Sequence, residues 1–294
     1  MNQEKKYDSK TLSTLQNILL MMIKDFDDFC TQHDLDYFLV GGSLLGAVRH
    51  KGMIPWDDDI DVGMTGENYD KFCQLMKKNQ DSKYSLMSTI VNDKFPYLRS
   101  AGLMLNGTKF MTEIRTENKE SYTTQIVLDI LSFDNLADSN WKAKIQGIRT
   151  FFYGKMAYMT TIENPTVHKK GLSQFLTLVI IKVMRSLFKL FNVSPKFFIK
   201  KGERVATAYN HKHTARVMYM NQSKLFSEII TISDLFPIQR VEFDGLQIKI
   251  PKKTHKYLTS HYGDYMELPP EDKRYNHYPA VLDFGKYKNI EKDN

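Results

Sequence analysis

The sequence predicts an α+β fold: a mixed β-sheet core flanked by helices over residues 1–135, continued by a mostly helical region over 136–294. Three observations predict it. Apolar residues recur every three or four positions in several long stretches, short β-rich runs follow the first of these, and a turn-forming Asp244-Gly245 pair separates two extended runs late in the chain. No internal repeat or low-complexity linker divides the two regions, so they are expected to pack as one unit.

Taken in order, Leu12, Leu15, Leu19, Met22, Ile23, Phe26 and Phe29 mark an amphipathic helix from Thr11 to Thr31, and Tyr37–Val40 reads as a short buried strand. Tyr69, Phe72, Cys73 and Met76 repeat at helical spacing. Extended runs follow at 84–90, 97–105, 108–115 and 125–131, then helical patterns at 139–160, 171–192 and 203–220, and the hairpin of 240–243 with 246–250.

With 294 residues, 42% of them hydrophobic, the chain can bury a sizeable core. Its 41 Lys and Arg against 34 Asp and Glu suit an anionic partner such as a nucleotide, a phospholipid surface or a phosphate-rich polymer. The basic residues are dispersed and lack an interleaved aromatic motif, which argues against nucleic acid. Cys30 and Cys73 fall on apolar helical stripes, so neither a disulfide framework nor a cysteine metal site is expected, and the compartment reads as reducing cytoplasm. The opening MNQEKKYDSK lacks an apolar signal region, and no run of about 18 uncharged apolar residues occurs.

The chemistry concentrates in Val40–Met64, "VGGSLLGAVRHKGMIPWDDDIDVGM". A strand running into Gly41-Gly42-Ser43 exposes backbone N–H groups without Cβ obstruction, and a helix started at Leu44 would turn its anion-favouring end toward them. Ala47-Val48 stand where a P-loop needs Lys and Ser or Thr, no G-x-G-x-x-G occurs, and Val62 stands where a calcium loop from Asp57 needs glycine. On a strand, Asp59 and Asp61 project from one face about 7 Å apart while Ile60, Val62 and Met64 face a core. Paired carboxylates so placed suit Mg²⁺ or Mn²⁺, two ions being the usual arrangement for in-line phosphoryl displacement.

Asp129 is the expected third carboxylate, a charge inside the apolar run Ile126–Leu131, with Asp134 second. Arg49 and Lys51, after the glycine turn, and Arg99, in Tyr97-Leu-Arg-Ser, are candidates for neutralising phosphate oxygens. Trp56 offers an aromatic face to a base or a quaternary ammonium, with plain packing the simpler reading. His211 and His213 lack a further ligand cluster and read as surface residues.

Val40–Met64 closely resembles the signature of LicD-type phosphotransferases, relatives of fukutin and fukutin-related protein in the nucleotidyltransferase-like superfamily. Tyr262–Pro270, with Lys273-Arg274 and His277, is similar to the C-terminal motif of that family, and Phe243-Asp-Gly looks like its lead-in. The resemblance covers about residues 15–280, loosely over 140–220. It implies a nucleotidyltransferase-like core in which Gly42, Ser43, Asp59 and Asp61 bind metal and a nucleoside diphosphate, with Asp129 as third carboxylate and Arg274 and His277 near the substrate.

It also implies a CDP-alcohol donor, most often CDP-choline, and transfer of the phospho-alcohol to a hydroxyl of a cell-surface glycan precursor, teichoic acid, lipopolysaccharide or capsule, with release of CMP. Attachment of NMP to a small molecule and a non-catalytic assembly factor are the alternatives. Leu128–Asp134 lacks a proline usual in the family, which puts the local loop shape in question. Finally, Leu172–Phe191 combines an apolar stripe with Lys182, Arg185 and Lys189 in the manner of an interfacial helix, so peripheral contact with the inner face of a membrane is expected alongside a lipid-linked acceptor.

Overall fold

A computed structural model describes residues 7–290 except 79–82, 93–94, 118–123, 163–170, 192 and 223–224. Helix α1 (Ser9–Gln32) starts where the Asp8 carboxylate accepts the Thr11 N–H at 2.9 Å, and its stripe from Leu15 through Phe26 to Cys30 is buried. After β1 (Phe38–Leu39) the chain turns into α2 (Gly41–His50), descends through a loop and enters β2 (Asp61–Thr65), followed directly by α3 (Gly66–Lys78).

β3 (Tyr84–Ser88), β4 (Ser100–Leu105), β5 (Lys109–Thr112), the short α4 (Glu113–Glu117) and β6 (Val127–Leu136) complete the first half. The main sheet runs β1-β2-β6-β4-β3, with β2 and β6 parallel and the other pairs antiparallel. Ile60, Val62, Met64, Leu128 and Ile130, none exposed, share one face of the sheet, while Phe38 and Phe133, equally buried, pack against each other on the face that carries Asp61 and Asp129. Each such side chain contributes roughly 1.5–3 kcal/mol by leaving water.

The second half begins with α5 (Asn140–Thr161), α6 (Leu172–Leu190) and α7 (Pro195–Ala206). Here one expectation fails. Instead of a helix over 203–220, α7 begins at Pro195 behind a Ser194 cap and has ended by Thr207, and Arg216–Tyr219 forms strand β7. The reason is tertiary: β6 continues past its pairing with β2 and β4, and its last residues offer an open edge that Val217 and Met218, both fully buried, complete as a strand. β8 (Ile229–Thr231) extends this edge and α8 (Ile232–Leu235) follows.

The hairpin forms as β9 (Gln239–Phe243) and β10 (Leu246–Ile250), with Asp244 and Gly245 both at positive φ. Its tip is a clamp on the loop after α2: the Asp244 N–H donates to the Lys51 carbonyl at 2.8 Å, and its carboxylate accepts the Met53 N–H at 2.7 Å. A Cβ on Gly52 would lie 2.3 Å from that carboxylate, so the clamp requires glycine there. Helix α9 (His255–Tyr262) and β11 (Pro279–Asp283), paired with β5, bring the C-terminal segment back across the first half.

Candidate active site

Two backbone ties position the glycine turn. The Val40 N–H donates to the Asp61 carbonyl at 3.2 Å, and the Asp61 N–H donates to Ser43 Oγ at 2.9 Å, so the start of α2 is fixed to the start of β2. Gly41 holds φ +55°, and a Cβ there would stand 3.5 Å from Asp61 Oδ2. The Gly41 N–H donates to Tyr257 Oη at 3.2 Å, while Gly42 and Ser43 have backbone N–H groups with no partner among the described residues. That is the open donor end of a ten-residue helix.

The carboxylates converge from neighbouring strands. Asp61 and Asp129 are register partners across the parallel β2 and β6, and so lie on one face of the sheet roughly 4.8 Å apart in backbone spacing. Asp59 precedes β2 rather than standing on it; its Oδ2 is 3.2 Å from His277 Nδ1. Asp58 serves a different purpose: fully turned inward, it accepts the Tyr7 hydroxyl at 2.8 Å and the His277 N–H at 2.9 Å.

Burial drives the electrostatics. It raises Asp57 to about 8, with Asp59 and Asp58 adding repulsion. It raises Asp129 to about 6, the nearby Arg115 partly offsetting it, and lifts Asp61 well above the usual carboxylate range, helped by Asp59 and Asp129. Asp59 is raised by burial too, although His277 opposes the shift. His277 rises to about 9 because it hydrogen-bonds Asp58 and faces Asp59 and Asp57. A cavity of about 220 Å³ opens beside these groups, lined by Asp59, Asp129, Arg115 and His277 together with Tyr97, Phe110 and Tyr158.

Among the described residues, no three His, Cys, Asp or Glu side chains are already drawn together as a metal shell. The donor chemistry nevertheless suits a hard divalent cation. Asp59, Asp61 and Asp129 supply only oxygen, and burial, the first cause of the upward shift of all three, is a cost that a bound cation would offset.

Several expected residues stand elsewhere. Arg99, expected at phosphate, is buried beneath the sheet, where its guanidinium binds Asp134 at 2.6 and 2.8 Å, Asp70 at 2.5 Å and the Gly66 carbonyl. A buried arginine needs such partners, and Asp134, itself wholly buried, is thereby consumed and does not reach the cavity. Lys51 takes a left-handed conformation at the C-terminal end of α2, about 15 Å along the helix from Gly41, so it does not face the turn. Arg49 is turned to the carbonyls of Tyr265 and Glu267 at 2.9 and 3.2 Å, joining α2 to the C-terminal block.

Ser43 Oγ is occupied by the Asp61 N–H, leaving its own backbone N–H as the group without a partner among the described residues. Trp56 carries Arg274 on its ring face, the guanidinium carbon 4.5 Å from the centroid. His277 lies between Asp58 and Asp59. Sequence reasoning missed Tyr7, Asp57, Asp58, Arg115 and Tyr257. The aspartate run was the only signal for two of these, and the others reach the site through tertiary contacts alone.

Residues 34–146 match the family model described as LicD/FKTN/FKRP, nucleotidyltransferase domain. That segment is a LicD-family domain. It is 27% identical over 274 residues to the lipopolysaccharide cholinephosphotransferase LicD of Haemophilus influenzae, covering 91% of this chain and 96% of that protein. It is also 54% identical over 39 residues to the ribitol 5-phosphate transferase FKRP of Homo sapiens, 13% of this chain and 8% of that one. The same figures hold for FKRP of Mus musculus. The LicD family domain thus spans β1 to the start of α5 and includes the glycine turn, Asp57–Asp61 and Asp129.

Proposed function

We propose that the protein is a metal-dependent phosphotransferase that moves phosphocholine, or another phospho-alcohol, from a CDP-alcohol to a hydroxyl of a cell-surface glycan precursor, releasing CMP. The observation that carries this reading is the juxtaposition of Asp61 with Asp129 beside the open amides of Gly42 and Ser43. The near full-length similarity to a lipopolysaccharide cholinephosphotransferase supports the choice of choline and of a glycan acceptor.

Each residue then has a task. The Gly42 and Ser43 amides orient the donor diphosphate at the positive end of α2. Asp59, Asp61 and Asp129 would hold Mg²⁺ or Mn²⁺, which when bound neutralises phosphate oxygens and steadies the leaving CMP. Asp129, which lines the cavity, also accepts the proton of the acceptor hydroxyl. Protonated His277 holds Asp59 in place and adds positive charge beside the cavity. The aromatic wall of Tyr97, Phe110 and Tyr158 suits a quaternary ammonium.

The test is nucleotide release from CDP-choline, CDP-ribitol or CDP-glycerol with Mg²⁺ and a lipid-linked oligosaccharide acceptor. CMP from one donor, lost in Asp59→Ala/Asp61→Ala, is the expected result and names the alcohol. Pyrophosphate released from a nucleoside triphosphate instead would assign NMP transfer and overturn the reading.

A further inference from the structure

Charge is distributed very unevenly along this chain. Twelve of its 41 Lys and Arg, but one of its 34 Asp and Glu, lie between residues 140 and 202, so the remainder is net acidic. The described part of that segment is α5, α6 and α7.

On α5, Trp141, Ile145, Ile148 and Phe152 recur every three or four positions, and all four are exposed, Trp141 by 70%. A stripe at that spacing normally faces a core. Here it faces out, interleaved with exposed Lys142, Lys144, Arg149 and Lys155. Helix α7 runs antiparallel beside α5: Gln146 Nε2 donates to the Ala206 carbonyl at 3.0 Å, and Gly202 abuts Tyr153 further along. Between the two helices lies a groove of about 430 Å³, roughly twice the cavity at the aspartates, lined by Lys142, Arg149, Lys201 and Arg204 with Ile145 and Tyr209. None of the four cations forms an ion pair among the described residues, and neighbouring Glu203 is turned inward to Thr89.

Helix α6 is docked against the same helix pair by Ile181, Met184 and Phe188. Beside exposed Gln174, Lys182 and Ser186, the remaining surface of α6 leaves large apolar side chains open, including Phe175, Ile180, Val183 and Leu190. Contiguous apolar exposure on this scale marks an interaction surface.

Charge decides the occupant. A second copy of this chain docking face to face would set one cationic groove against another, with no acidic side chain in the described part of the segment to compensate. An anionic bilayer presents negative phosphates and an apolar phase together, in the order this face presents cations and apolar side chains. No helix among the described residues is long and apolar enough to cross a membrane.

We propose that the groove between α5 and α7, with the apolar faces of α5 and α6 beside it, docks on an anionic phospholipid surface, phosphate headgroups entering the groove. The proposal is independent of the reaction assigned to the aspartates. The protein then lies on the bilayer through an interface built by three helices, not through α6 alone.

The experiment uses full-length protein carrying Trp56→Phe, which leaves Trp141 as the sole tryptophan. Flotation and Trp141 emission are measured with vesicles of phosphatidylcholine alone and of phosphatidylcholine mixed with phosphatidylglycerol. Expected are co-flotation and a blue shift with the anionic vesicles only, both reversed by salt. The variant Lys142→Glu/Arg149→Glu/Lys201→Glu/Arg204→Glu should partition at least about a hundredfold less, given about 1 kcal/mol for each cation near the surface. The milder Arg149→Gln/Arg204→Gln should fall between, and Phe175→Ser/Ile180→Ser should weaken binding while keeping its salt dependence. Equal binding to both vesicle types, or binding unmoved by the charge variants, overturns the proposal. So does a concentration-dependent dimer in sedimentation velocity with no flotation, which would give the face to a second copy.

Discussion

Asp61 and Asp129 are register partners on adjacent parallel strands, two carboxylates held on one face of the sheet by backbone hydrogen bonding. Burial lifts both above their ordinary range, and repulsion from Asp59 adds to each. Such a pair lowers stability in order to create a place for positive charge, and the two effects should separate on mutation. Asp61→Asn and Asp129→Asn are each expected to cut CMP release by on the order of a hundredfold or more. Their melting temperatures in chelator at pH 8 should equal or exceed that of the parent protein. A matched loss of both properties would make these residues structural.

The same shifts fix a pH dependence. A carboxylic acid raised from its unfolded value near 4 binds more protons in the folded state, so stability falls as pH rises through that window. With Asp129 at about 6 and Asp57 at about 8, the melting temperature in chelator should decline from about pH 4 to pH 8. Added Mg²⁺ should restore it most at the alkaline end, which thermal unfolding with and without metal would read.

Arg99 and Asp134 predict the opposite phenotype to the site residues. Their pair is almost wholly buried, so Arg99→Met or Asp134→Leu alone leaves an uncompensated charge and should cost about 3–5 kcal/mol in denaturant unfolding. The double variant should recover much of that loss. If either single variant instead unfolded normally and bound nucleotide poorly, Arg99 would belong to the donor site.

His261 gives a second pH test. Although burial opposes it, the ring is raised above its usual value by its hydrogen bond to Glu228, at 2.8 Å, and by the Tyr257 carbonyl. Its contribution to stability is complete below the ordinary imidazole value and is lost as pH rises through the raised one. The difference in melting temperature between the parent and His261→Gln should therefore be largest below about pH 6.5 and shrink toward alkaline pH.

At Gly41 the positive φ and the approach to Asp61 act together. Gly41→Ala should cost about 1–2 kcal/mol of stability and a larger share of activity, because the displaced atoms are those of the turn itself. Calorimetry alongside the CMP assay would show the two losses out of proportion.

The sequence made the sheet-and-helix core and the turn with its aspartates legible because both are written in local order: apolar periodicity in one case, contiguous motif in the other. The place of Asp129 within a strand was legible for a related reason, as a charge interrupting an apolar run, whereas its register beside Asp61 was not. Arg99 and Lys51 were misplaced because charge alone does not state direction; Arg99 answers to Asp134 and Asp70, and Lys51 to the end of its helix. The strand at Arg216–Tyr219 was read as helix because the open edge of β6 that recruits it lies 80 residues earlier by register, Leu136 pairing with Arg216. Tyr7 and Tyr257 carried no local signal at all.

Asp58 joins Tyr7, 51 residues before it, to His277, 219 residues after it. During synthesis the aspartate run is therefore finished long before the partners that satisfy its middle residue have emerged. A ribosome-bound chain that has reached only the hairpin holds the whole signature motif with its charges unbalanced. The N–H that satisfies Asp58 therefore exists only once residue 277 of 294 has been made.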